Sequence, residues 1–208
     1  MGETVILVTG FEPVGGERVN ASGEAVQALA ARWEEPGALV VTEVLPVSFA
    51  AAPVALRRAI ERHRPDAVLC VGEAGGRGVV TPERYARNEA AARIPDNDGA
   101  TPFGPLDDGL DVLGSGLDVD GIVAAVRAAG VPAEASDDAG RFVCNAVFRA
   151  VLTGFDGPAG FLHVPAVRDA GTAAVGAETD AAAPRASDLT QRDLVVALMA
   201  AVGRISAM

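Results

Sequence analysis

Short, wholly apolar or β-branched runs alternate with helical periods along most of this chain, and that alternation constrains its fold more than any other feature. The runs at 5–9, 39–44, 67–71, 132–136 and 160–164 are bounded by Gly, Pro or Asp, as strands buried on both faces are. Between them, Val26, Leu29, Ala30 and Trp33 fall at helical spacing, and so do Leu56, Ala59, Ile60 and His63. Ile122, Val123 and Val126 continue the pattern up to Gly130 and Pro132. Cys144, Val147, Phe148 and Val151 share a helical face before Gly154. A last helix runs from Thr190 through Leu194, Leu198, Val202 and Ile205, with Thr190 and Asp193 spaced as a capping box. This order predicts an α/β fold: an open, mostly parallel twisted sheet with helices on both faces, in one domain spanning 1–208. Residues 77–118, rich in Gly, Pro and Asp, break the rhythm and read as an irregular insertion, expected over the active site or at an interface. The Ala-rich stretch 168–187 reads as a flexible loop.

Composition removes several chemistries. The chain has 17 basic and 28 acidic residues for a net charge of −11, and every basic residue is Arg. Without a Lys amine there is no Schiff-base, pyridoxal-phosphate or P-loop chemistry. The acidic balance gives nucleic acid no electrostatic footing. The longest uncharged stretch, 44–56, has 13 residues and contains Pro46 and Pro53, too short and too broken to span a bilayer. No basic residue precedes Arg18, so a secretory signal is not expected and the protein is placed in the cytoplasm. Cys70 and Cys144 match no zinc spacing and are read as thiols outside any disulfide; neither metal nor cofactor is expected.

In open α/β sheets ligands bind beyond the carboxyl ends of the strands. The segments that follow those ends are Gly10-Phe11-Glu12-Pro13-Val14-Gly15-Gly16, then Gly72-Glu73-Ala74-Gly75-Gly76-Arg77, and Asp137-Asp138-Ala139-Gly140 leading to Cys144. His163 closes the last apolar run. Of the two histidines, His63 reads as a cation at a helix C-terminus, whereas the position of His163 favours function. Cys70 sits inside an apolar strand as a small buried hydrophobe, and Cys144 opens a helix, where the dipole favours a thiolate. A Cys/His pair calls for a third group to orient the imidazole, and composition does not choose among Glu12, Glu73, Glu83 and Asp137. The stretches Asp96-Asn97-Asp98-Gly99 and Asp118-Val119-Asp120-Gly121 lack calcium-ligand spacing and read as turns.

Taken together, certain motifs resemble the pyroglutamyl peptidase I (pyrrolidone-carboxylate peptidase) family of cysteine peptidases. They are Thr9-Gly10-Phe11-Glu12-Pro13 with Gly15-Gly16 and Asn20, Val44-Leu45-Pro46-Val47 with Phe49, Val71-Gly72 with Gly75-Gly76-Arg77, and Glu83-Arg84 with Ala86 and Asn88. Ala92-Arg93-Ile94-Pro95-Asp96-Asn97, Cys144-Asn145, and Phe161 with His163-Val164-Pro165 complete the set, over roughly residues 5–165. The resemblance implies a Cys144 nucleophile, a His163 general base and Glu83 orienting the imidazole, with Arg93 and the Cys144 backbone N–H stabilising the oxyanion. It implies hydrolysis of the amide after an N-terminal pyroglutamyl residue through a thioester, and a lactam slot lined by Phe11, Val14, Val47, Glu73, Ile94, Phe142 and Val143. Peptide substrates and a homodimer or homotetramer follow from the same likeness.

The chain departs from the family at two places. Val14 stands where a second aromatic is common, thinning one wall, and Glu73 stands where many members have Gln, exchanging a donor for an acceptor. Two alternatives stand beside hydrolysis: a weak or inactive lactam- or peptide-binding homologue whose pocket these departures spoil, and a phosphate-dependent nucleoside-processing enzyme using Arg77, Arg84 and Arg93 as clamps.

Overall fold

The computed structural model of the chain describes residues 3–167 and 187–208; the Ala-rich stretch read above as a loop lies outside them except for Ser187. In chain order the elements are β1 (Thr4–Phe11), α1 (Ala21–Ala30), β2 (Ala38–Leu45), α2 (Ala51–His63), β3 (Ala67–Ala74), β4 (Thr81–Glu83), β5 (Tyr85–Arg87), β6 (Ala90–Ala91), β7 (Phe103–Gly104), β8 (Val112–Gly114), α3 (Val119–Ala128), α4 (Val143–Gly154), β9 (Ala159–Pro165) and α5 (Gln191–Ser206). The main sheet has the order β2-β1-β3-β9-β4, with every neighbour parallel except β4, which runs antiparallel to β9. The expected mostly parallel α/β sheet is therefore present.

Alternation along the strands divides the interior into two layers. Ile6, Val8, Leu69, Val71, Leu162 and Val164 pack with Val26 and Leu29 of α1, Ile122 and Val126 of α3, and Leu198 and Val202 of α5. Leu7, Phe11, Val68, Cys70 and Phe161 face the other way, toward Leu56 and Ala59 of α2 and Val147 and Val151 of α4. Because both faces are covered, the central strands need no polar side, which is why they read as unbroken apolar runs. The capping box is formed at Thr190 and Asp193 at the start of α5.

The structure corrects four details. The helical period ending at Trp33 overshoots: α1 stops at Ala30, and the Trp33 indole instead donates to the Ala38 carbonyl at 2.9 Å, at the entry to β2. The run at 132–136 is not a continuous strand, although it lies along β4 and makes bridges at Ala133 and Ser136. Val80 N and Glu134 N donate to Pro132 O and Val80 O, and Ser136 N and Arg84 N to Pro82 O and Ser136 O. Pro82 has no N–H to supply the bond between these pairs, so the ladder is interrupted there. Third, Thr81-Pro82, a pair that also reads as a helix start and so leaves Glu83 open between helix and extended chain, starts no helix; Glu83 lies on extended chain in β4. Fourth, the 77–118 insertion is not wholly irregular, for it contributes β4 to the main sheet and forms two small antiparallel pairs, β5 with β8 and β6 with β7. Strands of two or three residues carry no readable period.

A buried cation fastens this insertion to α4. Arg149 is 1% exposed; its Nε and Nη2 donate to the Asp107 carboxylate at 2.6 and 2.7 Å, and Nη2 also reaches the Leu110 carbonyl at 2.7 Å. Arg149→Ala is expected to lower stability by about 2 kcal/mol in urea unfolding, less than for a fully buried pair because Asp107 keeps access to water.

Candidate active site

Three elements meet at the carboxyl edge of the sheet. His163 is on β9, where it pairs across the ladder with Gly72 of β3 on one side and Thr81 of β4 on the other. Two residues earlier on β9, Phe161 pairs with Glu83, so the antiparallel register sets Glu83 beside the imidazole on the same face of the sheet. The Nδ1 of His163 lies 2.7 Å from Glu83 Oε1, with Glu83 fully buried. The Phe161 ring, two residues back on the same face of β9, packs against the imidazole at 4.8 Å between centroids.

Burial pushes the Glu83 carboxyl upward, but the hydrogen bond from His163 and the charges of His163 and Arg77 outweigh it and hold the group below the usual carboxylate range. The carboxylate is therefore the acceptor and the Nδ1–H the donor, which leaves Nε2 as the atom presented to a reacting group. Of the four acids left open by composition, Glu83 alone is on the imidazole. Glu12 accepts from Val47 N and Asn97 Nδ2, Glu73 accepts from Ala21 N, and Asp137 pairs with Arg84.

Cys144 is the second residue of α4, whose N-cap, Phe142, provides no side-chain cap. The neighbouring Asn145 anchors this helix start: its amide accepts from Arg87 N and donates to the carbonyls of Arg87 and Glu89, each at 2.9 Å. The thiol lies directly over Gly72, where an added Cβ would stand 2.7 Å from Sγ. Since Gly72 is the ladder partner of His163, thiol and imidazole are brought to the same spot above the sheet. The other thiol, Cys70, is deep in the core, and burial pushes it up to about 12.

Cys144 and His163 open into a cavity whose walls include every expected lactam-slot residue: Phe11, Val14, Val47, Glu73, Ile94, Phe142 and Val143. Glu73 holds one oxygen on the first backbone N–H of α1, 2.6 Å from Ala21 N, where the helix dipole favours a negative charge. Arg93 is different, being exposed and absent from the wall, one residue from Ile94, which lines it. Asn20, Ala74, Ala139 and Gly140 also line the cavity. All four lie in or beside the strand-end segments, but nothing in their chemistry singles them out before the fold is known. Arg77 and Arg84 do not converge on a common anion: Arg77 reaches Glu83, and Arg84 reaches Asp120 and Asp137. Among the described residues, no cluster of His, Cys, Asp and Glu is arranged to hold a metal, and no helix is long and apolar enough to cross a membrane.

This geometry has known counterparts. A family model described as pyroglutamyl peptidase matches residues 4–206. The pyrrolidone-carboxylate peptidase of Gloeobacter violaceus is 48% identical over 166 residues, covering 77% of this chain and 80% of that one. The Bacillus amyloliquefaciens pyrrolidone-carboxylate peptidase is 42% identical over 170 residues, covering 78% and 79%. Among solved structures, pyroglutamyl peptidase I from Bacillus amyloliquefaciens superposes with a TM-score of 0.88 at 35% identity, over 99% of this chain and 96% of that one. A mutant pyrrolidone carboxyl peptidase from Pyrococcus furiosus gives 0.84 at 30% identity, over 97% of each chain. A family match that runs through β3, β4, α4 and β9, the elements that carry Gly72, Glu83, Cys144 and His163, leaves one conclusion: the chain belongs to the pyroglutamyl peptidase family.

Proposed function

We propose that this protein is a cysteine exopeptidase that hydrolyses the amide bond after an N-terminal pyroglutamyl residue. The observation that carries the reading is the Glu83–His163 contact beside Cys144 at the mouth of an apolar cavity. In this reading the Cys144 thiolate attacks the exocyclic carbonyl of the pyroglutamyl residue. The negative charge that develops on oxygen is met by the Cys144 backbone N–H at the start of α4 and by Arg93, which swings in from beside Ile94. The His163 imidazolium then gives its proton to the departing amine as the C–N bond breaks, leaving a thioester. Water, deprotonated by His163, cleaves the thioester and returns the thiolate with release of pyroglutamate.

The ring is held by Phe11, Val47, Ile94, Phe142 and Val143, with Val14 as the thinner wall. Glu73, whose carboxylate only accepts hydrogen bonds, takes the lactam N–H, and backbone groups serve the ring carbonyl. The substrates are peptides that begin with pyroglutamate, and the reaction uses no cofactor. The site of action is the cytoplasm, a reading supported by two cysteines of which neither is in a disulfide. A homodimer or homotetramer is supported by Phe103 and Leu110, apolar side chains of the insertion that are 86% and 72% exposed.

Release of a fluorogenic amine from pyroglutamyl, glutamyl and prolyl amides tests the proposal. The pyroglutamyl amide is expected to lead by about 100-fold or more in kcat/KM, since the glutamyl carboxylate is repelled by Glu73 and both open-chain and saturated analogues leave polar groups unpaired. Equal rates on all three would overturn the assignment.

A further inference from the structure

We propose that Arg77 is a positioning residue of the catalytic site, a fourth member that holds the Glu83 carboxylate against the imidazole and ties the triad to the loop leading into α4. The inference deepens the peptidase reading and rests on the same Cys144, His163 and Glu83. Its basis is a convergence at one carboxylate oxygen: Glu83 Oε1 receives His163 Nδ1 at 2.7 Å and Arg77 Nη1 at 2.5 Å. Arg77 Nη1 also bonds the Thr81 hydroxyl, and Nη2 donates to the Asp138 carbonyl at 2.7 Å. The guanidinium side chain is only 13% exposed, so these contacts are made largely out of water, where a planar fork loses little freedom per bond.

Each contact places something. Thr81 opens β4 opposite His163, so the fork fixes the strand that carries Glu83. Asp138 belongs to the turn whose next residues, Ala139 and Gly140, are cavity wall, and which continues through Phe142 into the helix bearing Cys144. Arg77 thus spans the carboxylate and the cavity rim with one rigid group. The groups around Glu83 are His163 from β9, Arg77 from the β3–β4 connection and the Ser136 hydroxyl from the segment beyond β4; the two that bear charge are both cations. Removing one of them makes protonation of Glu83 easier, and a protonated Glu83 no longer supports an imidazolium facing the thiolate.

The test uses the rate at which iodoacetamide alkylates Cys144 as a function of pH, in the native protein, Arg77→Gln and Arg77→Lys. This readout needs no peptide substrate, and Cys70 is silent in it because it is wholly buried. In Arg77→Gln the acidic limb of the alkylation profile is expected to move up by about one pH unit. In Arg77→Lys, which keeps the charge but not the fork, the limb stays near its native place while kcat on a pyroglutamyl amide falls about tenfold. Superimposable alkylation profiles in native and Arg77→Gln protein, each normalised to titratable thiol, would overturn the proposal. If Arg77→Gln does not fold, a native acidic limb with undiminished kcat in Arg77→Lys overturns it equally. Failure of the native protein to cleave any pyroglutamyl amide would instead count against the peptidase reading and leave the alkylation result to decide the role of Arg77.

Discussion

His163→Asn is expected to lower kcat/KM on a pyroglutamyl amide by about 10³-fold or more while the fold is kept. The substitution removes the group that activates the thiol and protonates the leaving amine, and the asparagine still fills most of the space between Phe161 and Glu83. Glu83→Gln should approach the same loss, about 10³- to 10⁴-fold, by a different route: an amide turned with its N–H toward Nδ1 imposes the wrong tautomer. The two variants differ in stability. Glu83 is fully buried between His163 and Arg77, so Glu83→Gln leaves a buried guanidinium without its counter-charge, at a cost of about 3 kcal/mol. Because the folded-state carboxyl titrates below its ordinary range, the stability it contributes is present above the unfolded value of about 4.3 and is lost as pH falls through the folded one. The gap in melting temperature between native and Glu83→Gln protein should therefore shrink on acidification below the ordinary carboxylate range, and thermal melts across pH 7 to pH 3 check it.

Gly72→Ala tests the placement of the thiol with the smallest possible change. A methyl group there would stand 2.7 Å from Cys144 Sγ and 2.8 Å from Phe161 Cζ, both well inside contact distance. Phe161 has little room to retreat, since its ring lies 5.7 Å from Phe148 and 4.8 Å from the imidazole between centroids. The thiol, at the end of a short side chain, yields first and turns away from Nε2. A displacement on the order of 1 Å at a reacting atom costs about 10²-fold in kcat, and the crowded ring lowers stability by about 1–3 kcal/mol. Stopped-flow alkylation of Cys144 together with steady-state kinetics reads the first effect, and urea unfolding reads the second. Native kinetics in Gly72→Ala would mean that the thiol does not work from its position over β3.

Much of this arrangement was legible in the sequence because it depends on local signals. Buried parallel strands appear as apolar runs, the capped α5 as a Thr190-to-Asp193 spacing, Cys144 as the opening of a helical period that becomes α4, and the position of His163 at a strand end follows from the sheet's polarity. The choice of Glu83 over Glu12, Glu73 and Asp137 was not legible from composition, because it depends on an antiparallel register between β4 and β9, residues 80 apart in sequence. The resemblance to the family supplied that choice. Pro82 shows the converse: its missing N–H is visible in the sequence, yet only the packed chain reveals that it interrupts a ladder. Arg77 and Asn145 stand within the family motifs, but nothing in the sequence shows the contacts they make, since a largely buried cation or a buried amide looks like any surface one until its partners are known. Arg93 is an expected substrate-facing residue that the fold leaves outside the cavity wall, and its role depends on a substrate drawing it inward.

The most direct measurement is the mass of protein quenched in acid during turnover of a pyroglutamyl ester, with the modified peptide mapped, in native and Cys144→Ala forms. A gain of one pyroglutamyl group confined to the Cys144 peptide in the native protein, with neither adduct nor turnover in Cys144→Ala, is the result expected of a Cys144 thioester. Turnover that survives Cys144→Ala, or an adduct mapped to any other residue, would contradict it.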